Sequence, residues 1–232
     1  SFDVVQYTDA AANPDELTPT TVSTNSYTLT DPAMGDHYIW VRANLSETEH
    51  SNWIGPLSIC FRYCTPAPTS VDGDGISNVT FGMGDNVVNN DTPHNSYTYV
   101  DYSNQIGALP AGMESTVAIT YDTGYTYGTI IWVDWNNSMS FEDNEIVYTG
   151  TSESTRPFTL NATFTIPATQ APGDYRMRIG GADSAFDGFI EGTSTTAPNP
   201  CYSNDSACFQ DYTLRVIEAP SCLPPTGVTV NY

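Results

Sequence analysis

Residues 115–150 read STVAITYDTGYTYGTIIWVDWNNSMSFEDNEIVYTG. Three strand signals lie in that stretch, STVAITY, GTIIWVDW and EIVYTG, each rich in β-branched and aromatic residues and set apart by turn formers. The rhythm continues on both sides. FDVVQY, SYTLT and HYIWVRA precede it, and TLNATFTI, DYRMRIG and DYTLRVIE follow, with no long helical period anywhere. Strand signals recurring every eight to twelve residues or so predict an all-β fold of tandem β-sandwiches. At 232 residues there is room for more than one such module, each able to bury a core. Pro66, Pro68 and small residues in RYCTPAPTS interrupt the apolar pattern after PLSICF and mark a module boundary; EAPSCLPPTG marks a second linker.

The segment from Asp134 to Glu145, DWNNSMSFEDNE, joins two of these strands. Oxygen-bearing residues fall at the first, third, fifth, seventh, ninth and twelfth places of a twelve-residue loop, the spacing with which a chain wraps Ca²⁺. The candidate ligands are the side chains of Asp134, Asn136 and Ser138, the carbonyl of Ser140, Glu142 through water, and a bidentate Glu145. Two positions depart from the pattern. Met139 stands where such loops turn on glycine, and Ser138 is neutral where a carboxylate is usual, so weakened affinity is expected. Without the ion, the same residues make an acidic surface turn.

The chain has 27 acidic residues, six arginines and no lysine, for a net charge of −21. Such a molecule repels phosphate backbones and anionic lipid, and no basic stripe with interleaved aromatics reverses the sign locally, which excludes nucleic acid as a partner. No apolar run is long enough to enter a membrane, and no secretory signal opens the chain, so Ser1 is expected not to be a natural N-terminus. The composition suits an extracellular, calcium-containing setting.

No catalytic constellation is legible. His37, His50 and His94 sit at a strand start and in polar loops, without HExxH, GxSxG or a supportive Cys/His pair. Carboxylate pairs abound, and none lies in an apolar setting that would mark a glycosidase. Asp72 and Asp74 in DGDG form either a second calcium corner or a glycine-rich turn. Tyr97 and Tyr99 are expected on one sheet face, where they either stack on sugar rings or pack in a core. Arg176 and Arg178 share the face of DYRMRIG opposite Tyr175, Met177 and Ile179, where they either grip an acidic glycan or neutralise neighbouring acids.

Two resemblances organise the chain. SYTLTDPAMGDHYIWVRANLSETEHSNWIGPLSI resembles the last strands of a fibronectin type III domain, with His37 in place of the usual corner tyrosine, and SCLPPTGVTVNY resembles the opening strand of another. This implies that residues 1–61 are the second half of one such domain, that its first strands lie upstream, and that residues 219–232 begin the next. Residues 62–218 resemble the GEVED domain of large secreted bacterial proteins, on YCTP at 63–66, DGDGISNVTFG at 72–82, YVDYS at 99–103, WVDWNNSMSFEDNE at 132–145, and APGDYRMRIGG with DYTLRV. The closing Gly-Glu-Val-Glu-Asp-Tyr of that family is here Ala207 to Tyr212, ACFQDY, so both glutamates are gone and Asp211 and Tyr212 remain.

The five cysteines lie at module edges, as in an oxidising compartment. The resemblance implies that Cys60 and Cys222 pair outside the segment and that Cys64 pairs with Cys201, leaving Cys208 as an extra thiol; a short Cys201 to Cys208 loop is the rival. Asp183-Ser184-Ala185 and Asp205-Ser206-Ala207 resemble the acceptor of a bacterial O-glycosylation system, which nominates Ser184 and Ser206. The expected function is a non-enzymatic, Ca²⁺-stabilised module of a secreted or cell-surface bacterial protein, with an adhesive or stalk-like role. Its expected partners are neighbouring modules or like chains. The second expectation is a carbohydrate-binding accessory domain of a secreted hydrolase or protease, with extracellular polysaccharide as partner.

Overall fold

The structure, a computed structural model, describes residues 1–29, 34–93, 96–183, 199–204 and 206–219. The chain divides into two compact units, Ser1–Tyr63 and Cys64 onward.

The first unit is a four-stranded antiparallel sheet in the order β2-β1-β3-β4, built from β1 (Phe2–Tyr7), β2 (Thr20–Val22), β3 (Gly35–Ala43) and β4 (Ile54–Phe61). Val4 and Ile39 are buried on one face, yet Phe2, Val41, Ile54 and Leu57, which share that face by register, are exposed. SYTLT forms no strand over residues 26–29. The Thr24 hydroxyl instead donates to the Ser26 carbonyl at 3.1 Å, a local bond that competes with a strand ladder.

The second unit is a two-layer sandwich. One layer is the sheet β10-β9-β12-β13-β7, made of β7 (Tyr99–Pro110), β9 (Tyr127–Val133), β10 (Ile146–Thr151), β12 (Gly173–Asp183) and β13 (Ala207–Ile217). The other is β11-β8-β5-β6, made of β5 (Ile76–Met83), β6 (Asn86–Asp91), β8 (Glu114–Tyr121) and β11 (Phe158–Thr165). Among the described residues, only the β7–β13 pair is parallel. Between the layers, alternate residues meet: Tyr175, Met177 and Ile179 of β12, and Tyr212 and Leu214 of β13, pack against Val79, Phe81, Val117 and Ile119. Burying each large apolar side chain contributes about 1.5–3 kcal/mol, so this core outweighs any single surface contact.

Polar side chains inside the sandwich are satisfied in a chain. Asn90 Nδ2 donates to the Tyr212 hydroxyl (2.8 Å), which donates to Gln210 Oε1 (2.6 Å), while Gln210 Nε2 donates to the Ile76 carbonyl (3.3 Å). Cys208 and Gln210, standing at the two lost glutamate positions, both face inward, where neutral groups cost less to bury than carboxylates.

The large sheet also buries its outer face. Ile130, Trp132, Ala182 and Phe209 form a second small apolar cluster there with Tyr202. Residues 67–70 run beside 202–204 and 206–207, with Ala67 N–H donating to the Tyr202 carbonyl (2.9 Å), Thr69 N–H to Asn204 (2.8 Å) and Ala207 N–H to Ser70 (3.1 Å).

Candidate functional site

Strand β9 is buried along its whole length and delivers Asp134 into the interior. The chain then coils back on itself. Asp134 Oδ1 accepts from Ser138 N–H (3.0 Å) and Oδ2 from Met139 N–H (2.9 Å), while Asn136 Oδ1 also accepts from Ser138 N–H (2.8 Å). Asn137 and Met139 take left-handed backbone, φ 54° and 64°. The turn demanded at the sixth loop position is therefore made, with a methionine in a conformation that suits glycine.

Glu145 closes the loop in a single 3₁₀ turn, Asp143–Glu145. Its Oε1 accepts from Trp135 N–H (2.9 Å) and its Oε2 from Glu142 N–H (3.1 Å). Burial, followed by the nearby Asp134 charge, raises the Glu145 carboxyl above its usual range, against the backbone bonds that lower it.

Of the six candidate calcium ligands, Asp134 and Glu145 are buried and drawn together; Asn136, Ser138, Ser140 and Glu142 line the exposed side, with Ser138 and Ser140 hydroxyls 2.9 Å apart. Among the described residues no three or more of His, Cys, Asp and Glu converge as a metal-holding group. The donor chemistry, two carboxylates with amide, hydroxyl and carbonyl oxygens, fits a hard divalent cation.

The other carboxylates behave differently. Asp72 and Asp74 sit in a turn carried by left-handed Gly73 and Gly75, with Asp74 paired to Arg156 at 3.2 Å and Asp72 bonded to the Tyr127 hydroxyl at 3.2 Å.

Sequence reasoning undervalued Arg178. It is fully buried, with Nε and Nη2 held by Asp211 Oδ1 and Oδ2 at 2.7 and 2.8 Å, the fork geometry that suits guanidinium and carboxylate. The remaining donors reach the carbonyls of Pro200 (2.7 Å) and Cys64 (2.9 Å), and the guanidinium lies over Phe141 and Tyr99. Arg176 pairs with Asp101 at 2.9 Å, so both arginines neutralise acids of the same unit.

The disulfide joins Cys64 to Cys201, in agreement with the resemblance and against a Cys201 to Cys208 loop. Cys208 is buried, and burial pushes its thiol up to about 12. Cys60 is a free, exposed thiol. Ser206 is buried with its hydroxyl 2.9 Å from that of Ser70, so the folded chain turns this acceptor inward. Ser184, Cys222 and His94 lie outside the described residues.

Among the tyrosines, Tyr121 and Tyr127 pack together in the core (ring centroids 5.5 Å apart), Tyr102 stacks on Tyr212, and Tyr99 donates its hydroxyl to Asp211. Tyr97 precedes β7 and is exposed, so it does not share a sheet face with Tyr99 as the alternation suggested.

Residues 128–215 match the model of the GEVED domain. The chain carries a GEVED domain. The matched span runs from β9 into β13 and contains the acidic loop, Arg178 and the retained Asp211. No curated protein matches the chain. No helix of the described residues is long and apolar enough to cross a membrane.

Proposed function

We propose that this GEVED unit is a non-catalytic, calcium-stabilised module of a larger secreted or cell-surface protein, serving adhesion or extension. The observation that carries the proposal is the pair of buried carboxylates, Asp134 and Glu145, drawn together at the two ends of one loop with Glu145 raised by burial and by its neighbour's charge. Burying two like charges in one place is costly unless a cation joins them. Asp134 and Glu145 would hold Ca²⁺ together with oxygens of Asn136, Ser138, Ser140 and, through water, Glu142. The ion's charge would stiffen the connection between β9 and β10.

The Cys64–Cys201 disulfide supports an oxidising location. A polysaccharide-binding role has less support, because most of the tyrosines that might form a platform are spent in the core or on Asp211. Calorimetric titration with Ca²⁺ tests the proposal. Heat of binding that vanishes in Glu145→Gln is expected, and no uptake by the parent chain would refute the calcium site.

A further inference from the structure

We infer that Arg178 selects and accelerates the Cys64–Cys201 pairing, by gripping both cysteine-bearing segments and stabilising the Cys64 thiolate before the bond forms. The two cysteines are 137 residues apart in sequence, so chance encounter in a flexible chain is slow. Arg178 spans the gap with one side chain. Nη2 donates to the carbonyl of Cys64 itself, and Nη1 donates to the carbonyl of Pro200, the residue before Cys201. Nη1 also lies 3.4 Å from Cys64 Sγ. The guanidinium cannot drift, because Asp211 holds its other edge and Phe141 and Tyr99 flank its faces.

The chemistry follows from that placement. The thiolate is the nucleophile in disulfide exchange, and an adjacent fixed cation favours it over the thiol. With oxidised glutathione as oxidant, the Cys64 thiolate attacks one glutathione sulfur. A mixed disulfide forms and one glutathione thiolate leaves. The Cys201 thiolate then attacks Cys64 Sγ, forming the protein disulfide and releasing the second glutathione thiolate. Two electrons pass from the cysteines to glutathione, and the two protons lost by the cysteine thiols end on the two glutathione thiols. Cys208, which could compete for Cys201, is buried with its thiol pushed up to about 12, so it supplies almost no thiolate. Arg178 is a positioning residue for this step, and it accounts for the choice between the two pairings that spacing alone leaves open.

The test uses the full chain, reduced under native conditions, freed of reductant and treated with oxidised glutathione. Closure is followed by alkylation and peptide mass spectrometry. Cys64–Cys201 is expected as the product, with Cys208 unmodified, and Arg178→Gln should slow closure and accumulate glutathione adducts on Cys64 and Cys201. The second measurement separates activation from general support of the fold. Iodoacetamide reaction of each cysteine in the reduced chain, read against pH, should show Cys64 titrating at least one unit below the ordinary ~8.5. At pH 7 a one-unit depression gives about eightfold more thiolate, each about threefold less nucleophilic, and so roughly two- to threefold faster alkylation than an unperturbed thiol. Arg178→Lys should keep part of the depression and lose the grip on both carbonyls. Cys64 titrating at or above the ordinary value in the reduced parent chain overturns the inference. So does Arg178→Gln closing the same pair at the parent rate. If Arg178→Gln fails to fold, the titration of the parent chain decides alone.

Discussion

Replacing Asp211 by Asn should be among the most damaging single changes in the GEVED unit, and a matched control sits on the same two strands. Arg178 of β12 faces Asp211 of β13, and Asp174 of β12 faces Arg215 of β13. Both are bidentate pairs with similar bonds: 2.7 and 2.8 Å for the first, 2.6 and 2.7 Å for the second. Their side-chain exposures differ: 0 % on both partners against 38 % and 45 %. Asp211→Asn leaves a buried guanidinium facing an amide that offers one acceptor oxygen and turns two N–H donors toward it. Breaking a buried pair from one side costs about 3–5 kcal/mol, a large share of a domain's usual 5–15 kcal/mol or so. Asp174→Asn removes a solvent-screened pair and should cost less than about 1 kcal/mol. Urea unfolding of the oxidised chain, followed by tryptophan emission and near-ultraviolet dichroism, measures both. Equal losses, or a loss below about 1 kcal/mol for Asp211→Asn, would refute the claim that burial and not bond geometry sets the energy of these pairs.

Chelation with EDTA should lower the melting temperature of the GEVED unit; with a dissociation constant on the order of 0.1 mM, ~10 mM Ca²⁺ stabilises by about 2.7 kcal/mol, and scanning calorimetry of the parent chain and Glu145→Gln measures the difference. Because the Glu145 carboxyl is raised, it takes up protons as pH falls toward its folded value, so calcium affinity should drop and a proton should be released on binding, as titration in buffers of different ionisation heat would show. Met139→Gly should tighten calcium binding and raise stability by up to about 1 kcal/mol by relieving left-handed strain, net of glycine's greater unfolded freedom. In the first unit, hydrogen bonds from Asn44 and Thr21, with Arg42 alongside, hold Asp3 down at about 2, so its stabilisation is complete above the ordinary 3.8 and is lost as pH falls from there toward 2. An acid titration of Asp3→Asn should lack that loss.

What could be read from the sequence was local. STVAITY, GTIIWVDW and TLNATFTI became strands β8, β9 and β11 within a residue or two, because β-branched and aromatic residues favour the pleat wherever the strand finds its partners. The region 76–110 was harder. Its strands carry Asn, Thr and Gly at many positions, and β7 pairs in parallel with β13 more than a hundred residues away, which leaves no local trace. The acidic loop was legible from spacing alone, down to the strained sixth position. The burial of Arg178 was not, since the same two-residue alternation describes a charged face open to water. What covers it, the run after Cys64 and the turn before Tyr202, is brought there by non-local pairing and a disulfide. The clue was the retained Asp211 on the facing strand.

All six arginines are matched to an aspartate: Arg42 to Asp3, Arg62 to Asp36, Arg156 to Asp122, Arg176 to Asp101, Arg178 to Asp211 and Arg215 to Asp174. With no lysine in the chain, these are also its only targets for a trypsin-like protease. Arg42, Arg176, Arg178 and Arg215 lie within paired strands, and Arg156 precedes a proline, which such enzymes do not cut. Arg62 also lies outside a strand with its side chain exposed, no proline follows it, and the bond after it lies one residue before the boundary at Tyr63. A trypsin-like protease would thus clip the polypeptide once, after Arg62, and release the chain from Tyr63 onward in one piece.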